Sequence, residues 1–184
     1  MRARSVILTV LGLAGIVTGL VLAGAARAAE EPPAVAEHVD LQRYLGTWYE
    51  IASIPNFFQR NCTGTTATYS LHDDGAIEVL NRCHKHTLDG SLSEARGKAW
   101  VVDEASNAKL KVQFFWPFRG DYWILAIGGD YAYAVVGNPD RDYAWILCRT
   151  PRMSPADYAA ALDVLRERGF DPSTLQRTAQ PASG

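Results

Sequence analysis

Between Gly46 and Thr150 the chain is a run of short stretches in which apolar and polar residues alternate, each cut off by Gly, Asn, Asp or Pro. No other feature restricts the possible folds as much. A period of two sends successive side chains to opposite faces of a strand, so an alternating strand has one buried face. Ile77, Val79 and Asn81 share one face while Glu78 and Arg82 share the other; Leu110, Val112 and Phe114 oppose Lys109, Lys111 and Gln113. Eight strands are predicted: Gly46–Ile54, Thr63–Leu71, Ala76–His84, Ser91–Val102, Ala108–Phe115, Asp121–Gly128, Tyr131–Gly137 and Tyr143–Arg149. Short strands at regular spacing imply an antiparallel sandwich or barrel.

The turns say how such a barrel is arranged. His72–Gly75, Asp103–Asn107 and Gly128–Asp130 are short, polar and supplied with Gly or Asn where φ must turn positive. In an up-and-down barrel these three lie at one tight end, with Asp73, Asp74, Asp103, Glu104 and Asp130. The longer connections, Pro55–Cys62, Lys85–Gly90, Trp116–Gly120 and Asn138–Asp142, fall at the other end as an open mouth. The last three strands are apolar on both faces and need an outer cover. A helix at 155–168 supplies it: Ser154 caps, Pro155 takes the first position, Asp157 completes a capping box and Gly169 stops it. Its apolar stripe is Tyr158, Ala161, Leu162 and Leu165. Leu175–Gln180 is a further short strand by this reading.

Residues 1–28 read as an export signal: Arg2 and Arg4, an apolar run from Val6 to Leu22, then Ala26-Arg27-Ala28 as the cleavage pattern. A retained N-terminal anchor is the competing reading. No cysteine lies near the junction, which closes the acylated-lipoprotein route and points to a periplasmic or secreted protein. Residues 29–39 read as a flexible leader and 40–180 as the domain, long enough to bury roughly two-thirds of its surface without a metal. The net charge of −2 with both signs interspersed excludes a nucleic-acid binder. Three cysteines, Cys62, Cys83 and Cys148, suggest one disulfide and one thiol in an oxidising compartment.

Gly46-Thr47-Trp48-Tyr49-Glu50 after a short helical turn resembles the opening motif of the lipocalins. Asp142 to Pro151, with Trp145 and Arg149, is similar to that family's last strand and terminal arginine. Gly129-Asp130-Tyr131 occupies the turn of the middle motif but departs from its usual Thr-Asp-aromatic form. Residues 44–151, with Ile54-Pro55 and Gly137-Asn138-Pro139, look most like the bacterial lipocalin and apolipoprotein D branch. The resemblance implies an all-β fold, an eight-stranded antiparallel up-and-down barrel with one C-terminal helix packed outside. It also implies that Arg149 crosses Trp48 in a cation–π contact closing the barrel base.

Strand counting places Cys62 and Cys83 at the mouth ends of a hairpin folded about Asp73-Asp74, nearly opposite each other, so they are expected to pair and leave Cys148 free. The lumen is expected to be lined by Val79, Asn81, Val112, Phe114, Tyr143, Trp145 and Leu147, by alternation and by match to the family's lumen positions. One face of the fourth strand carries only Ser93, Ala95, Gly97, Ala99 and Val101 and leaves space if it points inward. For the seventh strand, either Tyr131, Tyr133 and Val135 or Ala132, Ala134 and Val136 face in. At the mouth stand Phe57, Phe58, Trp116 and Phe118 with Arg60, Arg82, Lys85, Arg119 and Arg141, a rim suited to lipid or a partner.

The implied function is binding, storage or transport of a small hydrophobic molecule, a fatty acid or lysophospholipid first, at the cell envelope. Peripheral contact with membrane lipid and a monomer or weak homodimer are expected, with no cofactor. Two rivals stand beside it: a lipocalin-fold enzyme using Cys148 or Glu50, and an envelope interaction module. No nucleophile–base or phosphate-loop pattern supports catalysis. Cys83-His84-Lys85-His86 suggests a metal, but without a third ligand it is a poor site.

Overall fold

The computed structural model describes residues 31–73 and 75–182; the stretch 1–28 expected to be an export signal and Asp74 lie outside them. A single turn, α1 (Leu41–Tyr44), leads into β1 (Gly46–Ser53), β2 (Cys62–Leu71), β3 (Ile77–Lys85), β4 (Leu92–Val101) and β5 (Lys109–Phe115). Then follow β6 (Phe118–Gly128), β7 (Tyr133–Gly137), β8 (Ala144–Cys148), the helix α2 (Pro155–Glu167) and a two-residue β9 (Gln176–Arg177). From β1 to β8 each strand pairs antiparallel with the next, and β1 pairs with both β2 and β8, which closes an eight-stranded barrel. Among the described residues no helix is long and apolar enough to cross a membrane.

The two-sided burial of the last strands divides the apolar residues into two clusters. One fills the barrel: Trp48, Tyr69, Ile77, Val79, Ala99, Leu110, Ile124, Ala134, Val136 and Leu147. The other lies between the wall and α2, with Ile51, Leu125, Tyr133, Val135, Ile146 and Cys148 against Ala161, Leu165 and Phe170. The seventh strand therefore turns Ala134 and Val136 inward and Tyr133 and Val135 to the helix. Tyr131 precedes that strand, in a turn where Gly129, Asp130 and Tyr131 all have φ between 55° and 67°. Ser154 Oγ accepts from the Asp157 N–H at 3.0 Å, and Gly169 takes φ +80° just past the end of α2.

Two expectations are corrected. The fifth connection is no mouth loop of Trp116–Gly120: β6 starts at Phe118, three residues earlier than Asp121, and Phe115 pairs with Phe118 across Trp116 and Pro117. Period two fails there because three of these residues are apolar and no face is buried. The final strand is also much shorter than Leu175–Gln180, because the chain beyond Arg177 bonds across a gap in the wall. A bulge between Glu50 and Ala52 lets β1 leave β2, and β9 takes the vacated edge, pairing with Ala52 and Ser53. Thr178 N–H donates to Ile51 O, and Gly64 N–H to Ala179 O.

Candidate functional site

The barrel floor starts with α1. Asp40 caps it, its carboxylate accepting from the Gln42 N–H at 2.9 Å, and Tyr44 points into the barrel, where its carbonyl accepts from Trp48 Nε1 at 2.8 Å. The Arg149 guanidinium lies 3.7 Å from the centre of the Trp48 ring and donates to the carbonyls of Thr47 and Arg43. Above Trp48, the Tyr122 hydroxyl stands 2.7 Å from that of Tyr44 and 2.8 Å from that of Tyr69. Burial pushes all three phenols above their ordinary value, Tyr69 to about 12, so all stay protonated at neutral pH.

The inner wall changes character with height. Low in the barrel it is sealed: Trp48 is 0 % exposed, Ala99 1 %, Val79 3 % and Leu110 4 %. Higher up, Asn81, Ala95, Gly97, Val112, Phe114 and Trp145 are only half-buried. Ser93, Ala95, Gly97, Ala99 and Val101 do form the inner face of β4, but the space they leave is shared. A Cβ at Gly97 would sit 2.8 Å from the Phe114 ring, so that glycine makes room for the phenylalanine. Leu147 lies in the sealed part.

Aromatic rings climb from this wall to the rim. Tyr143, just before β8, stacks on Trp145 at 6.0 Å; Phe58 lies 5.6 Å from Tyr143 and 6.5 Å from Trp145, and Phe57 meets Phe58 edge-on at 5.3 Å. A polar network holds the loop in place. Gln59 Oε1 accepts from Trp145 Nε1 at 2.9 Å, while its Nε2 donates to Glu50 Oε2 at 2.6 Å. Glu50, 5 % exposed, also accepts from Ser53 Oγ and from Thr178 Oγ1. Gln180 Nε2 donates to the carbonyls of Glu50 and Thr65, tying the C-terminal segment to both sides of the seam.

The pattern put Glu50 on Trp48's face but gave no sign of Gln59, Thr178 or Gln180, since hydrogen bonds over such sequence distances leave no periodicity. A buried carboxylate demands donors, and that demand was the available clue. The tyrosine trio was likewise missed, because its members come from α1, β2 and β6.

The rim residues separate into two groups. Phe57 and Phe115 are 75 % exposed, Phe118 77 % and Trp116 85 %, with Leu92 also largely exposed. Of the basic residues, Arg82 pairs with Glu94 on the outer wall at 2.5 Å, and Arg119 lies 4.8 Å over the outward-facing Trp100 ring. Arg141 donates to the carbonyls of Arg168 and Glu31. Lys85 Nζ reaches the Arg60 carbonyl at 3.4 Å. Four of the five basic side chains thus have partners within the chain itself.

Cys62 and Cys83 form a disulfide with Cα atoms 5.4 Å apart, tying the β2–β3 hairpin at the mouth. Cys148 is reduced and buried under α2, its sulfur facing Thr150 and the Arg152 carbonyl and turned away from the lumen. His84 bonds through Nδ1 to the Gly90 carbonyl at 3.0 Å, within its own loop.

Residues 39–180 match a family model described as a lipocalin-like domain. The chain is 43 % identical over 149 residues to the outer membrane lipoprotein Blc of Escherichia coli, covering 81 % of this chain and 84 % of that protein. It is 41 % identical to temperature-induced lipocalin-1 of Arabidopsis thaliana (79 % and 82 % covered) and 38 % identical to apolipoprotein D of Mus musculus (80 % of each). Among solved structures, insecticyanin of the tobacco hornworm Manduca sexta superposes with a TM-score of 0.64 at 22 % identity, covering 84 % of this chain and 86 % of that one. Lobster apocrustacyanin A1 does so at 0.63 and 18 %, covering 83 % and 92 %. The barrel closure, the Trp48–Arg149 base and these likenesses agree: the chain belongs to the lipocalin family.

Proposed function

We propose that the chain binds a small hydrophobic molecule, a fatty acid or lysophospholipid before others, in the upper lumen and carries or stores it at the cell envelope. One observation carries this reading: the inner wall is sealed at the floor and half-buried above, where Ala95, Gly97, Val112, Phe114 and Trp145 form an apolar cup open at one end. The ligand-lining set is Asn81, Val112, Phe114, Tyr143 and Trp145, with Val79 and Leu147 beneath. A catalytic role finds no support, since three side-chain donors occupy Glu50 and Cys148 faces α2.

The test is to strip the chain of lipid and titrate palmitate and lysophosphatidylcholine by native mass spectrometry. The expected result is a one-to-one complex, weakened about tenfold or more by Val112→Trp, which fills the cup. Failure of both amphiphiles to bind would overturn the reading.

A second observation extends it. Phe57, Phe115, Trp116 and Phe118 stand exposed on two mouth connections, β1–β2 and β5–β6, and exposed aromatic tips suit the interfacial layer of a bilayer. We read the mouth as docking on lipid through these rings, with charge secondary because Arg82 and Arg119 are engaged on the outer wall. Co-flotation with zwitterionic vesicles, lost in Trp116→Ser, is the expected outcome; co-flotation that requires anionic lipid and ignores Trp116 would reverse that order.

A further inference from the structure

The three tyrosines at the boundary between sealed floor and open cup pose a proton-counting question. Tyr44, Tyr69 and Tyr122 carry one O–H each, and the two short contacts between them use two of the three protons. Whichever way the bonds run, one O–H is unspent. Among the described residues no other side chain bonds to these hydroxyls, and Ile77, Val79, Leu110 and Ile124 belong to the same apolar cluster. A buried donor without an acceptor is costly.

Position decides which hydroxyl holds the spare proton most usefully. Tyr44 and Tyr69 are fully packed, while Tyr122 shares the inner face of β6 with Ile124 and remains half-buried, bordering the cup. It is also the centre of the chain of hydroxyls. If both neighbours donate to it, its own O–H is left to point up the lumen, strengthened as a donor by the two bonds it accepts.

We propose that Tyr122 is a specificity-determining residue: its hydroxyl, backed by Tyr44 and Tyr69, donates to a neutral oxygen on the end of the ligand that enters first. The inference rests on the lumenal reading above and refines its ligand class. A hydroxyl, carbonyl or ester oxygen suits this place. An ionised carboxylate does not, because no cation reaches the apolar level at which Tyr122 sits and burial would tax the charge. The favoured ligand is then an amphiphile oxygenated at its far end, such as an ω-hydroxy or ω-oxo acid or a ring-shaped ketone or alcohol, over a plain hydrocarbon tail.

The experiment compares plain fatty acids with ω-hydroxy acids of matched and graded length on the intact chain, using wild type, Tyr122→Phe and Tyr69→Phe. In wild type the ω-hydroxy acid of best-fitting length should bind roughly three- to tenfold more tightly than its plain counterpart, the worth of one net hydrogen bond. The preference should vanish in Tyr122→Phe and survive in Tyr69→Phe, which keeps Tyr122 and one spare proton. Equal affinities in wild type at every length would overturn the proposal without any variant. A preference that persists in Tyr122→Phe would overturn it too, as would one lost equally in both variants. If plain and hydroxylated acids all fail to bind, the lumenal reading itself falls and takes this one with it.

Discussion

Arg149 makes three contacts from one planar group: the face of Trp48 and the carbonyls of Thr47 and Arg43. A guanidinium can stack and donate in two directions at once, whereas an ammonium cannot. Arg149→Lys should therefore recover only part of what Arg149→Met loses, with the full loss about 1–3 kcal/mol by urea denaturation. The Tyr69 phenol offers a second check at this scale. Its folded-state value is raised to about 12 from an ordinary 10, so the neutral form is favoured on folding. Stability from this group is whole below pH 10 and drains away as pH climbs from about 10 towards 12, because the unfolded chain sheds the proton first. Tyr69→Phe should flatten that alkaline decline, read as melting temperature against pH.

At the scale of elements, the β9 segment does more than its two paired residues suggest. Thr178 donates to the buried Glu50 carboxylate, and Gln180 spans the carbonyls on either side of the β1–β2 gap. Truncation after Leu175 strands Glu50 with one donor fewer and opens the wall, so a loss of about 2–4 kcal/mol is expected in chemical denaturation, most of it from unsatisfied buried groups. A milder variant, Thr178→Val, should cost about 1–3 kcal/mol while leaving the barrel closed. Elements were legible in the sequence wherever one face is wet and the other dry. Ile77, Val79 and Asn81 against Glu78 and Arg82 gave β3 directly, and Ser154, Pro155 and Asp157 gave the start of α2. The β5–β6 tip was misplaced because Phe115, Trp116 and Phe118 are apolar and exposed, which inverts the rule that pattern reading relies on. The Glu50 network and the tyrosine trio were invisible, since each unites residues from distant strands that alternation treats separately.

Taken whole, the barrel has two ends that are built from different parts. The floor is α1, Trp48, Arg149 and the tyrosines; the rim is loops, held by Gln59 and the Cys62–Cys83 disulfide. Reducing that disulfide releases a hairpin closed over a separation of 21 residues, for which a loss of about 3 kcal/mol is expected. The loss should appear as a lower denaturation midpoint, while the near-ultraviolet circular dichroism of the Trp48–Arg149 base keeps its sign until unfolding.

The pairing of β1 with β8 has a consequence in time. Tyr49 lies opposite Cys148 in the closed wall, so the first strand of the barrel waits for the last before it gains its second neighbour. Hairpins such as β2–β3 need only local chain and form early, whereas this seam carries the loop-closure cost of nearly the entire barrel. A nascent copy emerging N-terminus first therefore cannot finish its wall until β8 has been made. It stays an open, curling sheet, and ring closure becomes the committing event of its folding, one that is reached only once β8 is present.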